Sequence, residues 1–239
     1  MRYLNLSFSA PPWNLACDEA LLDLCEDGYD TEILRLWESP VYFIALGYSN
    51  KKSSEVDVSS CQDRKIPILR RSSGGGTVLQ GPGCLNYSLI LKINGGRPIT
   101  TLSDTNAYIL DQTRKALDPL TGGGVSLEGT SDLAIHGKKF SGNAQRRKKN
   151  YVLFHGTVLI DFDLQLIEQV LKMPSRQPVY RRDRSHQDFL INLSVDREKV
   201  MMNLKKVWQA DQDFSTVPSK EIERLVNSKY SEKNWNERF

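Results

Sequence analysis

The segment Arg70-Arg-Ser-Ser-Gly-Gly-Gly-Thr-Val-Leu holds the densest chemistry of this 239-residue chain. Gly74, Gly75 and Gly76 carry no Cβ, so the main chain there can approach a ligand closely and turn its N–H groups toward an anion. If the segment is extended, Arg70 and Arg71 point to opposite sides, and at least one guanidinium can reach a phosphate or carboxylate. The segment is not a P-loop, because no Lys-Ser or Lys-Thr follows the glycines. A glycine triplet by itself is more often a tight turn. The adjacent arginines tilt the reading toward an anion cradle.

A second stretch, Gly129-Thr-Ser-Asp-Leu-Ala-Ile-His-Gly-Lys-Lys-Phe-Ser-Gly-Asn-Ala-Gln, offers Asp132 and two lysines. Strand alternation sends Lys138 and Lys139 to opposite faces, one toward a ligand and one toward solvent. A Lys139 that shares its face with Ser141 can meet the anion brought by the glycines and neutralise charge as a carboxylate attacks a phosphate. A lysine in a strand is otherwise usually solvated. In Tyr151-Val-Leu-Phe-His-Gly-Thr-Val-Leu-Ile-Asp, Gly156 weakens an apolar strand unless something approaches it closely. His155 either touches a ligand or is a hydrogen-bonded core imidazole, and the core reading is favoured. His136 and His186 are expected at the surface. With three histidines and no HxH or HxxxH pair, no metal site built by the protein alone is expected.

These segments need elements to hold them. Apolar spacing predicts a first helix over 12–26, strands over 32–37 and 41–46, a polar loop over 47–52, and strands over 66–71 and 85–93. Ser103 is expected to cap a helix through Leu117, with Pro119 and a triple-glycine turn after it. Strands are expected over 125–127, 132–135, 138–141 and 151–161, then helices over 164–173, 194–210 and 219–230. Hairpin-like strands with flanking helices imply an α+β fold, a sandwich around a mostly antiparallel sheet.

Composition is that of an ordinary globular chain, 39% hydrophobic and 26% charged, long enough to bury a core without disulfides or metal. A net charge of +3 is too mild to demand nucleic acid or an anionic membrane. No run approaches the roughly 18 apolar residues that span a bilayer, and the N-terminus lacks signal-peptide layout, so a cytoplasmic location is expected. Cys17, Cys25, Cys61 and Cys84 are scattered, without a CxxC pair, and are expected to be reduced, buried thiols.

Arg70-Arg-Ser-Ser-Gly-Gly-Gly with Leu85-Asn-Tyr, then Asp132, Lys139-Phe-Ser-Gly-Asn-Ala-Gln and His155-Gly-Thr, resembles the lipoate-protein ligase family of the biotin/lipoate ligase superfamily. Asn14-Leu-Ala-Cys-Asp-Glu-Ala-Leu and Leu46-Gly-Tyr-Ser-Asn add to the resemblance, which runs from about residue 10 to Trp235. The resemblance implies the biotin/lipoate ligase and class II synthetase-like catalytic fold, as one catalytic domain over 1–239; many members of the family carry a C-terminal accessory domain, and none is expected here, a departure from the family pattern. It also implies a two-step reaction: lipoate and MgATP give lipoyl-adenylate and pyrophosphate, and a lysine of a carrier domain then attacks the adenylate. Lys139 would bind the lipoate carbonyl and the adenylate phosphate. Arg71 and the segment Gly76-Thr-Val-Leu would line the pocket for nucleotide and lipoyl group, with Asp132 beside the nucleotide. Ser73, Asn86, Ser141, Gly142, His155, Gly156 and Thr157 complete the expected site. ATP, Mg2+ and lipoate follow as cofactors and substrate. The implied partners are lipoyl domains of 2-oxoacid dehydrogenase complexes or the glycine cleavage H protein, with a separate accessory protein as a candidate.

Transferase relatives work through a cysteine thioester, yet residues 132–161 contain no cysteine. ATP-independent octanoyl or lipoyl transfer would have to use Cys84, beside which no base is arranged in sequence. The biotin branch resembles GRGRxxRxW at its adenylate loop, and that motif is missing. A third reading, a binding module for nucleic acid or an acidic partner, rests on Arg146-Arg-Lys-Lys and Tyr180-Arg-Arg-Asp-Arg. The first of these runs is expected to be a solvated hairpin tip, so no nucleic-acid partner is expected.

Overall fold

The structure is a computed structural model and describes residues 1–174 and 176–239. Its strands are β1 (Arg2–Asn5), β2 (Ile33–Trp37), β3 (Phe43–Leu46), β4 (Ile68–Arg70), β5 (Val78–Gln80), β6 (Cys84–Lys92), β7 (Val125–Glu128), β8 (Asp132–Ile135), β9 (Lys138–Arg147), β10 (Tyr151–Leu159) and β11 (Gln212–Asp213). Its helices are α1 (Pro11–Glu26), α2 (Lys52–Glu55), α3 (Val58–Asp63), α4 (Leu102–Leu117), α5 (Leu164–Val170), α6 (His186–Phe189), α7 (Arg197–Val207), α8 (Ser219–Leu225) and α9 (Lys233–Asn236). Among the described residues, eight strands form one sheet in the order β11-β1-β2-β6-β10-β9-β8-β7, antiparallel except where β1 meets β2 and β11. A smaller sheet, β4-β3-β5, stands beside it.

Period-two alternation in the central strands sorts residues to two faces. Leu34 and Leu36 of β2, Leu85, Tyr87, Leu89 and Leu91 of β6, and Val152, Phe154 and Val158 of β10 pack with α4 and α7. Ile33, Trp37, Ile90, Tyr151 and Leu153 pack on the other face with α1 and α8. A third cluster joins Ile44 and Leu46 of the small sheet to α3 and α5 through Val56, Cys61, Ile167 and Val170. At roughly 1.5–3 kcal/mol for each large apolar side chain buried, these clusters hold the layers together. The α+β architecture expected from sequence is therefore present, with helices on both faces of a mostly antiparallel sheet.

Several expected boundaries move, each for a local reason. Thr101, not Ser103, caps α4, its hydroxyl accepting from the Asp104 N–H at 3.1 Å. The expected strand over 41–46 begins only at Phe43, because the Ser39 hydroxyl donates to the Val41 carbonyl and extends the turn. α5 stops at Val170, since Leu171 turns out to form a β-bridge with Val56. α7 starts at Arg197, capped by the Asp196 carboxylate. The helix expected through 230 passes from α8 into a π turn over Val226–Tyr230.

β9 is longer than expected and runs to Arg147, so Arg146 and Arg147 lie in the strand and only Lys148 and Lys149 reach the hairpin tip, which corrects in part the reading of the whole run as a solvated tip. Arg147 donates to Thr105 Oγ1 and to the carbonyls of Ile99 and Thr100. Arg146 donates to the Ser72 carbonyl, and Lys148 pairs with Asp23. His186 is also not at the surface: it is buried, with its amide donating to Glu168. Burial and the nearby Arg181 pull its pKa below the ordinary histidine value.

Candidate functional site

A cavity of about 470 Å³ opens where the two sheets meet, within the size range of small-molecule sites. Its apolar wall includes Leu15, Trp37, Ala45, Val78, Leu79 and Leu159. Its polar wall gathers residues far apart in sequence: Arg71, Gly75, Gly76 and Thr77, then Asn86, Asp132, Lys139, Ser141, Gly142, His155, Gly156 and Thr157.

The glycine segment is a ribbon held from behind. Gly75 adopts φ +85°, a left-handed conformation that favours glycine, and its carbonyl lies so close to Gly47 that a side chain there would collide with it. Space beside Gly74 and Gly76 is open. Arg71 clamps the ribbon: its guanidinium donates to the carbonyls of Gly74 at 2.6 Å, Gly76 at 2.7 Å and Ala45 at 3.0 Å, and to Ser73 Oγ at 3.0 Å. Burial pulls its pKa down to about 10, so it stays a cation at neutral pH. Ser73 and Gly74 stand behind the cavity wall.

Arg70 points away from the cavity, opposite to Arg71 as alternation predicts, and contributes no group to the wall. It donates to the carbonyls of Gly47, Tyr48, Asn50, Trp235 and Asn236, tying the ribbon to the loop after β3 and to the C-terminal helix. With these carbonyls taking its donors, it is placed to brace the fold, not to meet a ligand.

Lys139 reaches the cavity through a bulge. Leu133 pairs with Ser141 and Ala134 with Lys139, leaving Phe140 as the extra residue, so simple alternation along β9 fails at this point. The Lys139 amine lies over Gly142, where a Cβ would come within 2.8 Å of Nζ. It pairs with Asp132 Oδ1 at 2.7 Å, and the Tyr180 hydroxyl donates to Oδ2 at 2.8 Å. Burial and the Asp132 charge push the Tyr180 phenol well above its ordinary value, so it remains a donor. The segment after Tyr180 lies along β9, with the Ile191 amide donating to the Lys139 carbonyl. This gives the run Tyr180-Arg-Arg-Asp-Arg a structural place: Arg181 and Arg184 stack on Phe189, and Arg184 donates to the carbonyls of Gly137 and Tyr180.

On the face toward α1, register aligns Arg35, Ser88 and His155 in one row across β2, β6 and β10. Asp18 of α1 lies against this row, taking Arg35 at 2.7 Å and the Ser88 hydroxyl at 2.8 Å. Burial pushes its carboxyl pKa up, but Arg35, His155 and Ser88 pull it down further, and the net shift is downward. His155 is both things at once, a hydrogen-bonded imidazole and part of the cavity wall. What approaches Gly156 is the side chain of Asn143 and the Tyr87 ring, and these two residues also hydrogen-bond each other.

The sequence matches the model for the lipoyl protein ligase A/B catalytic domain over residues 10–212. The chain belongs to this family. A probable lipoate-protein ligase A of Mycoplasma pneumoniae is 30% identical over 240 residues, covering 95% of this chain and 68% of that protein. An octanoyltransferase LipM of Brevibacillus brevis is 25% identical over 272 residues, covering 98% of each. Among solved structures, the bipartite lipoate protein ligase of Thermoplasma acidophilum, studied with its E2 lipoyl domain, superposes with a TM-score of 0.83 at 23% identity, over 99% of this chain and 95% of that one. A lipoate-protein ligase A bound with ATP superposes at 0.78 with 25% identity, over 99% and 98%.

Members named as ligases and as transferases thus both resemble this lipoyl ligase-family chain, which directs attention to its thiols. All four cysteines are free and buried. Cys84 borders the cavity, but it is 0% exposed, its thiol faces the Gln80 side-chain oxygen at 3.4 Å, and burial pushes its pKa far above the ordinary thiol value. Asp18, Arg35, Ser88, Asn143 and Tyr180 escaped the sequence reading of the site. The available signal was an arginine inside the apolar run Ile33–Trp37, and a carboxylate among the apolar residues of α1, because a charge in such a setting needs a partner.

Proposed function

We propose that the chain is an ATP-dependent lipoate-protein ligase. Lipoate oxygen attacks the α-phosphorus of ATP, the bond to pyrophosphate breaks, and lipoyl-AMP forms. The amine of a carrier-domain lysine then attacks the acyl carbon, loses its proton and expels AMP, leaving an amide. Chemistry between two anions asks for fixed positive groups and backbone donors more than for a protein nucleophile.

The observation that supports this reading is the cationic side of the cavity. Arg71 is a buried cation whose hydrogen-bond partners among the described residues are a hydroxyl and three carbonyls, and it sits directly behind the glycine ribbon. An anion laid on the ribbon would supply its missing counter-charge. Lys139 stands in the same cavity, where a substrate carboxylate or phosphate can take its amine from Asp132. Asp132 is the acidic side chain beside Lys139 on the wall, so magnesium would come with the triphosphate and take a protein oxygen from Asp132. The ion would neutralise phosphate charge. The buried, protonated Cys84 argues against thioester transfer.

The test is incubation of the protein with lipoate, MgATP and a lipoyl carrier domain. Lipoyl-AMP, pyrophosphate and a carrier heavier by one lipoyl group are expected. Lys139→Ala should lower turnover by about 10²–10³-fold, the cost of losing one preorganised charge-stabilising group, while Cys84→Ala should keep activity. No adenylate, together with acyl exchange between carriers that vanishes in Cys84→Ala, would overturn the ligase reading in favour of a transferase.

A further inference from the structure

Asp18, His155, Ser73 and Arg71 form a continuous chain of hydrogen bonds from α1 to the glycine ribbon. His155 Nδ1 lies 3.3 Å from Asp18 Oδ2, and His155 Nε2 lies 2.6 Å from Ser73 Oγ. Ser73 Oγ accepts from Arg71 Nε at 3.0 Å. Because the guanidinium can only donate, the hydroxyl proton is free to go to the imidazole. A neutral ring then carries its proton on Nδ1, facing the carboxylate. Donor and acceptor directions agree at every link, from the carboxylate to the carbonyls of Gly74 and Gly76 that Arg71 grips.

We infer that Asp18 is a positioning residue for the ribbon: it holds His155 in the Nδ1-protonated form, whose Nε2 accepts from Ser73 and so steadies the Arg71 clamp. Arg35 and Ser88 fix the carboxylate in turn. The order serine, histidine, aspartate is that of a nucleophilic triad, but Ser73 cannot serve as a nucleophile here. It is 1% exposed, stands off the cavity wall and has its oxygen engaged by the Arg71 Nε–H. The relay holds for an acyl donor of either kind, so it is independent of the ligase reading.

Asp18→Asn reverses one link. The remaining carbonyl oxygen stays with Arg35, and the amide NH2 then faces Ser88 and the ring. That presses His155 toward the form protonated on Nε2. The Ser73 oxygen then faces two donors, Arg71 Nε–H and His155 Nε2–H, and its hydroxyl proton loses its acceptor.

The test is imidazole 15N NMR and amide hydrogen exchange on the full, ligand-free chain. In the wild type the His155 ring should carry a proton on Nδ1 and leave Nε2 as the acceptor, and Asp18→Asn should move the proton to Nε2. The Tyr48 amide donates to the Ser73 carbonyl at 2.9 Å and reports on the ribbon. Its exchange should quicken by about tenfold in Asp18→Asn and in Ser73→Ala, the scale expected for one lost hydrogen bond to a charged group. With each rate referred to that of the Ile90 amide of β6, which reports global opening, the double variant should be no faster than either single one. A wild-type ring protonated on Nε2, additive effects, or unchanged Tyr48 exchange in folded Ser73→Ala would overturn the inference. Should Asp18→Asn fail to fold, the wild-type ring spectrum and Ser73→Ala still decide it.

Discussion

Gly75 and Gly76 are neighbours with opposite demands. Gly75 is glycine because of the protein's own backbone: at φ +85° any side chain is strained, and a Cβ would lie 3.1 Å from the Arg71 guanidinium. Gly76 has an ordinary φ and nothing within 4 Å of a Cβ, so only something that enters the cavity would object to a methyl there. Gly75→Ala should therefore cost about 1–2 kcal/mol of folding stability through backbone strain. Gly76→Ala should leave stability within about 0.5 kcal/mol yet raise the KM for nucleotide or acyl substrate by roughly tenfold, as one misplaced carbon in a tight pocket does. Thermal melts and steady-state kinetics on the two variants separate these effects. Arg70 and Arg71 divide in the same manner, one bracing the chain behind the ribbon and the other holding the ribbon at the cavity.

Among the elements, the C-terminal helix does more than close the chain. Trp235 Nε1 donates to the Arg70 carbonyl and Asn236 Oδ1 accepts from the Arg70 amide, so α9 locks β4 immediately before the ribbon. Close by, Glu19 of α1 receives Lys229 at 2.7 Å and the Tyr230 hydroxyl at 2.6 Å. Arg70→Ala should lower stability by about 2 kcal/mol or more, since buried carbonyls at 47 and 236 lose their donor. Its reduced activity should recover in part on cooling, because Arg70 touches no part of the cavity. Chemical denaturation and activity across temperature check this. The bulge in β9 and the close packing of Gly156 with Asn143 belong to the same scale: each sets the position of a side chain at the cavity through strand geometry.

At the scale of the whole molecule, acid stability should carry the signature of Asp18. Its folded pKa lies below the ordinary aspartate value of about 3.9. Its stabilising effect is thus fully present above that value and is lost as pH falls through the lower, folded one. The melting temperature should hold above about pH 5 and fall below about pH 4, with a shallower fall in Asp18→Asn, measured by thermal unfolding across pH. The described helices include none long and apolar enough to cross a membrane. The α+β class, the glycine segment, Lys139 and Asp132 as separate candidates, and the resemblance that led to the lipoyl ligase family were all legible in the sequence, because each rests on near neighbours whose spacing the covalent chain fixes. The relay from Asp18 to Ser73 was not legible. Residues 18, 35, 88 and 155 meet only when the register of β2, β6 and β10 sets three of them in one row and α1 packs across it. Which of the two arginines turns away from the cavity, and the bulge at Phe140, likewise came from tertiary structure alone, because each is decided by which distant segment takes the adjoining space.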